Sequence, residues 1–191
     1  MAVWVISDFH LSLAAPFVSG QEAQLYKPMS AFGAKWYNHV QRIYTNCQQL
    51  LAPEDTLFVL GDISWAMHLP ETVHDFAFLG SLPGRLLLSK GNHDFWWETK
   101  KKSQQVLPPN VTLLQHEACQ AEHLVAAAIR GWYCPGSQDF DAEAGKIYRR
   151  ECLRLEMALE HMQRLDEAAG SNLQRVVMLH FPPVNDKFAY N

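Results

Sequence analysis

The sequence predicts an α/β fold in which helices are layered against a largely parallel central sheet. Two observations support this class. Short apolar, β-branched runs alternate with longer segments of helical periodicity. Polar motifs follow the apolar runs directly, at the strand ends where parallel sheets form their sites. The chain has 191 residues, of which 48% are hydrophobic and 19% charged, and it suits a single domain over residues 1–191.

Six apolar runs have the length and composition of strands. The predicted strands cover residues 3–7, 56–60, 85–89, 111–114, 124–129 and 175–180. Helical periodicity or helix boundary residues separate most of these runs, so we expect parallel pairing in much of the sheet. The fourth and fifth runs leave an antiparallel arrangement open.

Four segments are predicted to be helical. They cover residues 33–51, residues 71–79, a segment from residue 95 to the proline at 108, and a long helix that ends near residue 169. Asp141 is the predicted N-cap of the long helix. Residues 11–32 contain two prolines and a glycine and predict an irregular loop, as do the turn residues and aromatics of residues 131–136. We expect substrate selectivity to lie in these two loops.

The bulk composition argues against several classes of partner. The formal net charge is −4 and the pI is about 6.1, which favours neither nucleic acid nor an anionic membrane. The N-terminus lacks a secretory pattern, and no apolar run approaches the roughly 20 residues of a membrane helix. The four cysteines form no C-x-x-C motif and are interpreted as reduced thiols. We therefore expect a cytoplasmic protein with no membrane partner.

Asp8 and His10 follow the first predicted strand, and Asp62 follows the second. Two residues apart, Asp8 and His10 can converge on one ion just beyond the strand, and this pair of ligand types suits Mn²⁺, Fe or Zn²⁺. Asp62 comes after a glycine that permits close approach, and its two oxygens can bridge two ions. Taken singly, each residue also fits a capping, surface or turn position.

The run Gly91-Asn92-His93-Asp94 follows the third strand. Asn92 offers a neutral amide oxygen to a metal. His93 is the natural proton donor to a leaving group, because histidine titrates near neutral pH, and Asp94 could orient it through a hydrogen bond. The alternative is a polar turn with Asp94 as a helix N-cap, which the two earlier motifs in matching contexts disfavour. His180, after the last strand, is a candidate ligand of a second metal.

Together the motifs resemble those of the calcineurin-like metallophosphoesterase superfamily. Its pattern is D-x-H, G-D, G-N-H-D/E, H and G-H-x-H, and four of these five blocks occur in order between Asp8 and His180. The residues after Gly61-Asp62 and the loop at 131–136 are similar to a bacterial group of predicted phosphohydrolases within it. The resemblance implies a four-layer α/β fold of two mixed β-sheets packed face to face and flanked by helices.

The resemblance also implies a dinuclear centre and a reaction. Asp8 and His10 would hold the first divalent ion, Asn92 and His180 the second, and Asp62 would bridge them together with a hydroxide. The ions would be Mn²⁺, Fe or Zn²⁺, with Mn²⁺ favoured. The hydroxide would attack phosphorus in line in a small phosphomonoester or phosphodiester, and both ions would neutralise the developing charge. His93, assisted by Asp94, would protonate the leaving group.

The fifth block of the pattern does not occur, because only eleven residues follow His180. Each ion would then lack one ligand of the family, and the fold would be a C-terminally shortened form of the family's. We expect that the sequence is cut short, that the missing part comes from elsewhere, or that metal binding is weak. A sheet edge left exposed in this way would invite self-association with another chain.

Other functions fit the sequence to different degrees. A non-catalytic interaction protein that kept the fold is the main alternative, and the missing block speaks for it, whereas an intact His93 speaks for catalysis. A nuclease of the same superfamily is disfavoured by the acidic balance. A haloacid-dehalogenase-type phosphatase needs an aspartate where His10 stands, and the H-x-H-x-D-H run of a metallo-β-lactamase-type site is missing.

Overall fold

The computed structural model describes residues 1–170 and 172–184, and the chain divides into two compact units. The first unit comprises residues 1–113, and the second begins at residue 114. Each unit combines one β-sheet with α-helical structure, which confirms the predicted α/β class with two sheets. The expectation of a single domain over residues 1–191 stays a prediction.

The first sheet has four strands whose spatial order is the same as their order in the chain. The strands are β1 (Val3–Ile6), β2 (Thr56–Leu60), β3 (Arg85–Ser89) and β4 (Val111–Leu114). β2 pairs in parallel with both β1 and β3. Because β1, β2 and β3 run parallel to one another, their carboxyl ends lie together at one edge of the sheet.

Three helices belong to the first unit: α1 (His39–Leu50), α2 (Val73–Gly80) and α3 (Lys100–Gln104). The helix predicted from residue 33 starts six residues later than expected. The preceding residues form two short 3-10 helices, Met29–Phe32 and Ala34–Trp36, and Asn38 has a left-handed φ of 51° that separates them from α1.

The helix predicted from residue 95 is also much shorter, because α3 begins only at Lys100. Trp96 and Trp97 precede it and lie buried in the core, so tertiary packing fixes this stretch in a non-helical path. Thr99 caps the short helix by accepting a hydrogen bond from the amide of Lys102. The irregular loop predicted at residues 11–32 is confirmed apart from isolated bridges and one 3-10 turn.

The core of the first unit follows the alternation of strand residues. Leu57 and Val59 on β2 pack with residues of α1 and α2, among them Val40 and Phe76. Phe58, which points to the opposite face of the same strand, is equally buried. Both faces of β2 are therefore covered, which explains why its sequence is an uninterrupted apolar run.

The second unit contains β5 (Ala118–Ala121), β6 (Leu124–Ile129), β7 (Gln174–Leu179) and the long helix α4 (Ala142–Ala168). β6 pairs antiparallel with β5 and parallel with β7, while α4 packs against β6. Asp141 caps α4 by accepting a hydrogen bond of 2.7 Å from the amide of Ala144, as predicted. The strand β5 was not predicted, because its sequence ACQA lacks β-branched residues. Within the described residues, no helix is both long and apolar enough to span a bilayer.

Candidate metal centre

The predicted ligands of the first unit lie just past the ends of β1 and β2, where the two backbones remain hydrogen-bonded. The amide of Asp8 donates to the carbonyl of Gly61 at 3.1 Å, and that of His10 donates to the carbonyl of Asp62 at 2.8 Å. Asp8, His10 and Asp62 all have left-handed backbone conformations, with φ of 59°, 46° and 52°. Such values are uncommon outside glycine and cluster at functional sites, where the surrounding structure enforces them.

The side chains of Asp8, His10 and Asp62 converge on one point. One ligand atom of each lies within 4.8 Å of the others. Nε2 of His10 is 3.4 Å from Oδ1 of Asp8 and 3.7 Å from Oδ2 of Asp62. Two carboxylate oxygens and one imidazole nitrogen form a donor set that suits Mn²⁺, Fe or Zn²⁺, so the residues fit the predicted first ion.

The ring of His10 is held by aromatic packing. It stacks on Trp65 with centroids 4.9 Å apart and meets Trp36 edge-on at 5.7 Å. Nδ1 of His10 is buried and has no hydrogen-bond partner among the described residues. Metal-binding histidines usually donate this second N–H to a neighbour. Here the two tryptophans fix the ring so that Nε2 faces the carboxylates.

His93 stands beside the same carboxylate but is much more open to solvent. Its amide donates to Oδ1 of Asp62 at 2.9 Å, and its Nε2 lies 4.0 Å from Oδ2 of Asp62. The side chain of His93 is 37% exposed, against 10% for His10. The buried histidine therefore suits a fixed ligand, whereas the exposed one can exchange a proton with a bound molecule.

Asp94 has a different role from the one suggested by the sequence. Its carboxylate accepts hydrogen bonds of 2.8–3.2 Å from the amides of residues 62, 63, 64 and 91, and one of 3.0 Å from the indole of Trp96. The predicted hydrogen bond to His93 is not among those that the described residues make. Burial raises the pKa of Asp94, and the backbone amides oppose that shift. Asp94 thus fixes the backbone that carries Asp62 and does not serve as a helix cap.

The close packing of Gly91 against Asp62 requires a glycine at position 91. A Cβ atom built on it would overlap the backbone nitrogen and the Oδ1 atom of Asp62. Asn92, the predicted ligand of the second ion, is half-buried and sits between Gly91 and His93, both of which meet Asp62. The turn at residues 91–94 is therefore interlocked with the turn that follows β2.

Asp75 was not singled out by sequence reasoning, although it lies behind this turn. This α2 residue is fully buried and accepts hydrogen bonds from the amide of Leu13 at 2.9 Å and from the hydroxyl of Ser64. It joins the irregular loop to the segment after Asp62. Desolvation by burial raises the pKa of Asp75 to about 6, against the lowering effect of these hydrogen bonds and of nearby His74. An acidic residue in the apolar run VHDFAFLG was the available signal.

Two further residues outside the predicted set lie against the centre. His39 is buried beneath His10, with its Nε2 3.4 Å from the His10 carbonyl oxygen, and desolvation lowers its pKa. Nζ of Lys27 lies 3.1 Å from the centroid of the Trp65 ring. The contacts of Trp65 with His10 and His93 make it a wall of the site.

His180 belongs to the second unit and directly follows β7. Its amide donates to the carbonyl of Ile129 at 3.2 Å, so it continues the pairing with β6. Its assignment as a ligand of the second ion stays a prediction. Glu151 is a buried carboxylate of the second unit, and its Oε1 accepts hydrogen bonds of 2.6 Å from both Arg130 and Arg154.

The fold and the site define a class: an α/β protein in which two carboxylates and an imidazole at the strand ends could hold a metal ion. The profile of the calcineurin-like phosphoesterases matches residues 1–190, and the chain belongs to that family. Among curated proteins, no match was found. Among solved structures, the chain is similar to the protein of unknown function AQ665 from Aquifex aeolicus. The two share 17% identity over 97% of this chain and 83% of that chain, with a TM-score of 0.46. So distant a similarity says nothing about the site.

Proposed function

We propose that this chain is a metal-dependent phosphoesterase that hydrolyses a small phosphomonoester or phosphodiester. The convergence of Asp8, His10 and Asp62, with the exposed ring of His93 beside them, is the observation that carries this proposal. Membership of the calcineurin-like phosphoesterases supports the reaction class.

Two divalent ions belong to the proposal, with Mn²⁺ favoured. Asp8, His10 and Asp62 would hold the first ion. Asp62, Asn92 and His180 would hold the second, as the resemblance implies. When bound, such ions lower the pKa of water and neutralise charge on phosphate oxygens.

The protein's own contribution to the chemical step is proton supply and positioning. A proton on Nε2 of His93 would pass to the leaving alkoxide oxygen as the P–O bond breaks, which the exposure of this ring permits. Asp94 and Gly91 act through Asp62 and are positioning residues, because their contacts are with its backbone and carboxylate and not with the reacting atoms.

We also propose a cellular location, a class of substrate and a mode of self-association. The spacing of the four cysteines fits no C-x-x-C motif or zinc site, which supports a cytoplasmic location. The acidic net charge supports a small phosphorylated substrate over a nucleic acid. Self-association along the edge of the second sheet at β7 is proposed as well, and light scattering at several protein concentrations would test it.

Hydrolysis after metal removal and restoration tests the function. The protein is treated with a chelator, dialysed, and assayed with p-nitrophenyl phosphate and bis-p-nitrophenyl phosphate, with and without added Mn²⁺. We expect hydrolysis only when the metal is restored. The His93→Ala variant should lose at least about 100-fold in rate while retaining its metal, since that is the lower range for removing a general acid.

His123→Ala is the matched control, because His123 is an exposed histidine in the second unit. It should hydrolyse both esters at the wild-type rate. Asp62→Ala should lose both metal binding and activity. Activity that persists in the chelated protein or in Asp62→Ala would overturn the proposal. Metal binding without any hydrolysis would favour the interaction protein instead.

A further inference from the structure

Lys27 belongs to the irregular loop, and its ammonium group lies against a wall of the candidate centre. Nζ of Lys27 is 3.1 Å from the centroid of the Trp65 ring. The ring of His10 stacks on the same indole, with centroids 4.9 Å apart and planes 18° from parallel. An ammonium group so close to the ring leaves no room for a stacked imidazole on its own side. Lys27 and His10 therefore cover opposite faces of Trp65.

His93 contacts the same indole. Its ring centroid is 4.5 Å from that of Trp65 and 5.9 Å from that of His10. One indole thus touches a predicted metal ligand, the predicted proton donor and a cation. Because a leaving group that takes its proton from His93 must lie beside that ring, a substituent on the leaving group comes within reach of the ammonium group of Lys27.

The position of Lys27 is fixed by its backbone and by the indole. The hydroxyl of Ser12 donates to the carbonyl of Lys27 at 2.9 Å, and the amide of Tyr26 donates to the carbonyl of Ser12 at 2.9 Å. Ser12 is fully buried, although Lys27 itself is exposed. The indole is held as well, since its Nε1 donates to Sδ of the buried Met29 at 3.2 Å.

The charge of Lys27 is not matched by a carboxylate among the described residues. By contrast, the exposed Lys102 and Lys146 form ion pairs of 2.9 and 2.8 Å with Glu98 and Glu143. The indole attracts the positive charge of Lys27 but accepts no conventional hydrogen bond, so N–H donors remain for an anion. In a chain with a net charge of −4, such a cation gives the site a local attraction for negative groups.

We infer that Lys27 binds an anionic group on the leaving part of the substrate, so that the preferred phosphoester carries a carboxylate or a second phosphate beyond the scissile bond. The placement of the scissile phosphate and of the leaving group rests on the proposed function, whereas the anion contact rests on the geometry of Lys27 and Trp65. A lysine ammonium is a compact point charge that pairs with either anion. Lys27 lies in the loop at residues 11–32, where the sequence predicts substrate selectivity.

Calorimetric titration with three non-hydrolysable probes tests the inference. The probes are 4-carbamoylphenylphosphonate, 4-carboxyphenylphosphonate and benzene-1,4-diphosphonate, which share one ring and differ in the group opposite the phosphonate. The Mn²⁺-loaded wild type should bind an anionic probe at least about 5-fold more tightly than the neutral carbamoyl probe. The tighter of the two anionic probes identifies the source of the anion, after allowance for the two equivalent ends of the diphosphonate. Raising the salt concentration to about 0.5 M should reduce the preference, because the contact is electrostatic and exposed.

Two substitutions at one position serve as a matched pair. Lys27→Gln should abolish the preference for an anionic probe, whereas Lys27→Arg should keep most of it, because arginine retains the charge and can lie on an indole. Lys101→Gln is the control, since it removes the same charge from an exposed helical position, and its preference should equal that of the wild type. Mn²⁺ binding by all three variants should also equal that of the wild type.

Equal wild-type affinity for the three probes would overturn the inference, as would a preference that survives in Lys27→Gln. Equal weakening of all three probes in Lys27→Gln, together with weaker Mn²⁺ binding, would show that Lys27 acts only through Trp65 and His10, and would overturn it too. The proposed function fails separately. Hydrolysis of chromogenic esters without any preference for an anionic probe removes this inference alone. A preference for an anionic probe in a protein that hydrolyses no ester with Mn²⁺ removes the proposed function and leaves the anion contact standing.

Discussion

Asp94 in the first unit and Glu151 in the second are both buried carboxylates, but they are satisfied in opposite ways. Asp94 accepts hydrogen bonds only from neutral groups, namely four backbone amides and an indole. Glu151 accepts from two guanidinium groups, those of Arg130 and Arg154.

The difference separates a site from a structural element. The negative charge of Glu151 is neutralised where it lies by the two guanidinium groups that it contacts. The charge of Asp94 is met by dipoles only and adds to the carboxylates of Asp8 and Asp62, which favours the arrival of a divalent cation. Burial of a carboxylate is therefore a poor sign of function on its own, and the charge of its partners is the informative property.

Replacing each of the two carboxylates in turn should give the largest difference between the two units. We expect Asp94→Ala and Glu151→Ala each to lower the free energy of unfolding by about 4 kcal/mol, because both leave buried donors or charges unpaired. Only Asp94→Ala should also abolish Mn²⁺ binding by the folded protein, since only Asp94 fixes the backbone of Asp62.

Denaturant unfolding and Mn²⁺ titration of both variants provide the measurement. Glu151→Gln is the milder companion variant, and it keeps an acceptor for one arginine. Should Asp94→Ala bind Mn²⁺ as tightly as the wild type, the positioning role of Asp94 would be wrong. Should Glu151→Ala lose Mn²⁺ while still folded, the contrast between the two carboxylates would fail.

Substitution of two glycines should give the next largest contrast, because one substitution should lower the free energy of unfolding and the other should raise it. Gly91→Ala should destabilise the fold by about 3 kcal/mol and weaken Mn²⁺ binding, because the added Cβ atom would overlap the backbone nitrogen and Oδ1 of Asp62. Gly145→Ala lies inside α4, where the nearest atom would be 3.6 Å away, and should stabilise by roughly 0.5–1 kcal/mol. Thermal unfolding of the two variants checks both signs, and stabilisation by Gly91→Ala would contradict the interlocked turns.

Two buried aspartates give the smallest contrast, in the pH dependence of stability. Burial raises the pKa of Asp75 to about 6, so the folded state holds this proton more tightly than the unfolded chain does. That contribution is complete below about pH 4 and is lost as the pH rises through about 6. The advantage of the wild type over Asp75→Asn should therefore fall by roughly 2–3 kcal/mol between pH 4 and pH 7.

Asp166 in the second unit should behave in the opposite sense. Its hydrogen bonds from Arg175 lower its pKa, so its contribution is present at neutral pH and is lost as the pH falls through the lowered pKa. Denaturant unfolding of Asp75→Asn between about pH 4 and pH 7, and of Asp166→Asn from about pH 7 down to about pH 2, compares the two slopes. Slopes of the same sign would contradict the different environments of the two carboxylates.

Strands β1, β2 and β3 were predictable because each is an apolar run that ends at a polar motif. β2 and β3 have the predicted bounds, since strands buried on both faces read as continuous apolar sequence. Helix starts were less predictable. The hydrophobic periodicity predicted that Trp36 lies inside a helix. In the structure, Asn38 has a left-handed backbone conformation and separates Trp36 from α1. Hydrophobic periodicity carries no information about such a conformation at a single residue.

The ligand set was partly predictable for the same reason as the strands. Asp8, His10 and Asp62 lie at strand ends, and parallel pairing brings those ends together. The bonding of Asp94 was not predictable, because its partners are mostly backbone amides about 30 residues distant in sequence. His39 and Asp75 were not predicted to belong to the site, because only the folded path places them against its loops.

The matching of spatial and chain order in the first sheet has a consequence for synthesis on the ribosome. Each strand pairs with the strand that precedes it in the chain, so the sheet can extend in the order in which its strands emerge. Asp8, His10, Asp62 and His93 all precede residue 114. We expect the nascent chain to have the residues of its first metal site in place before α4 is translated, so that the ion could help to fold the polypeptide that binds it.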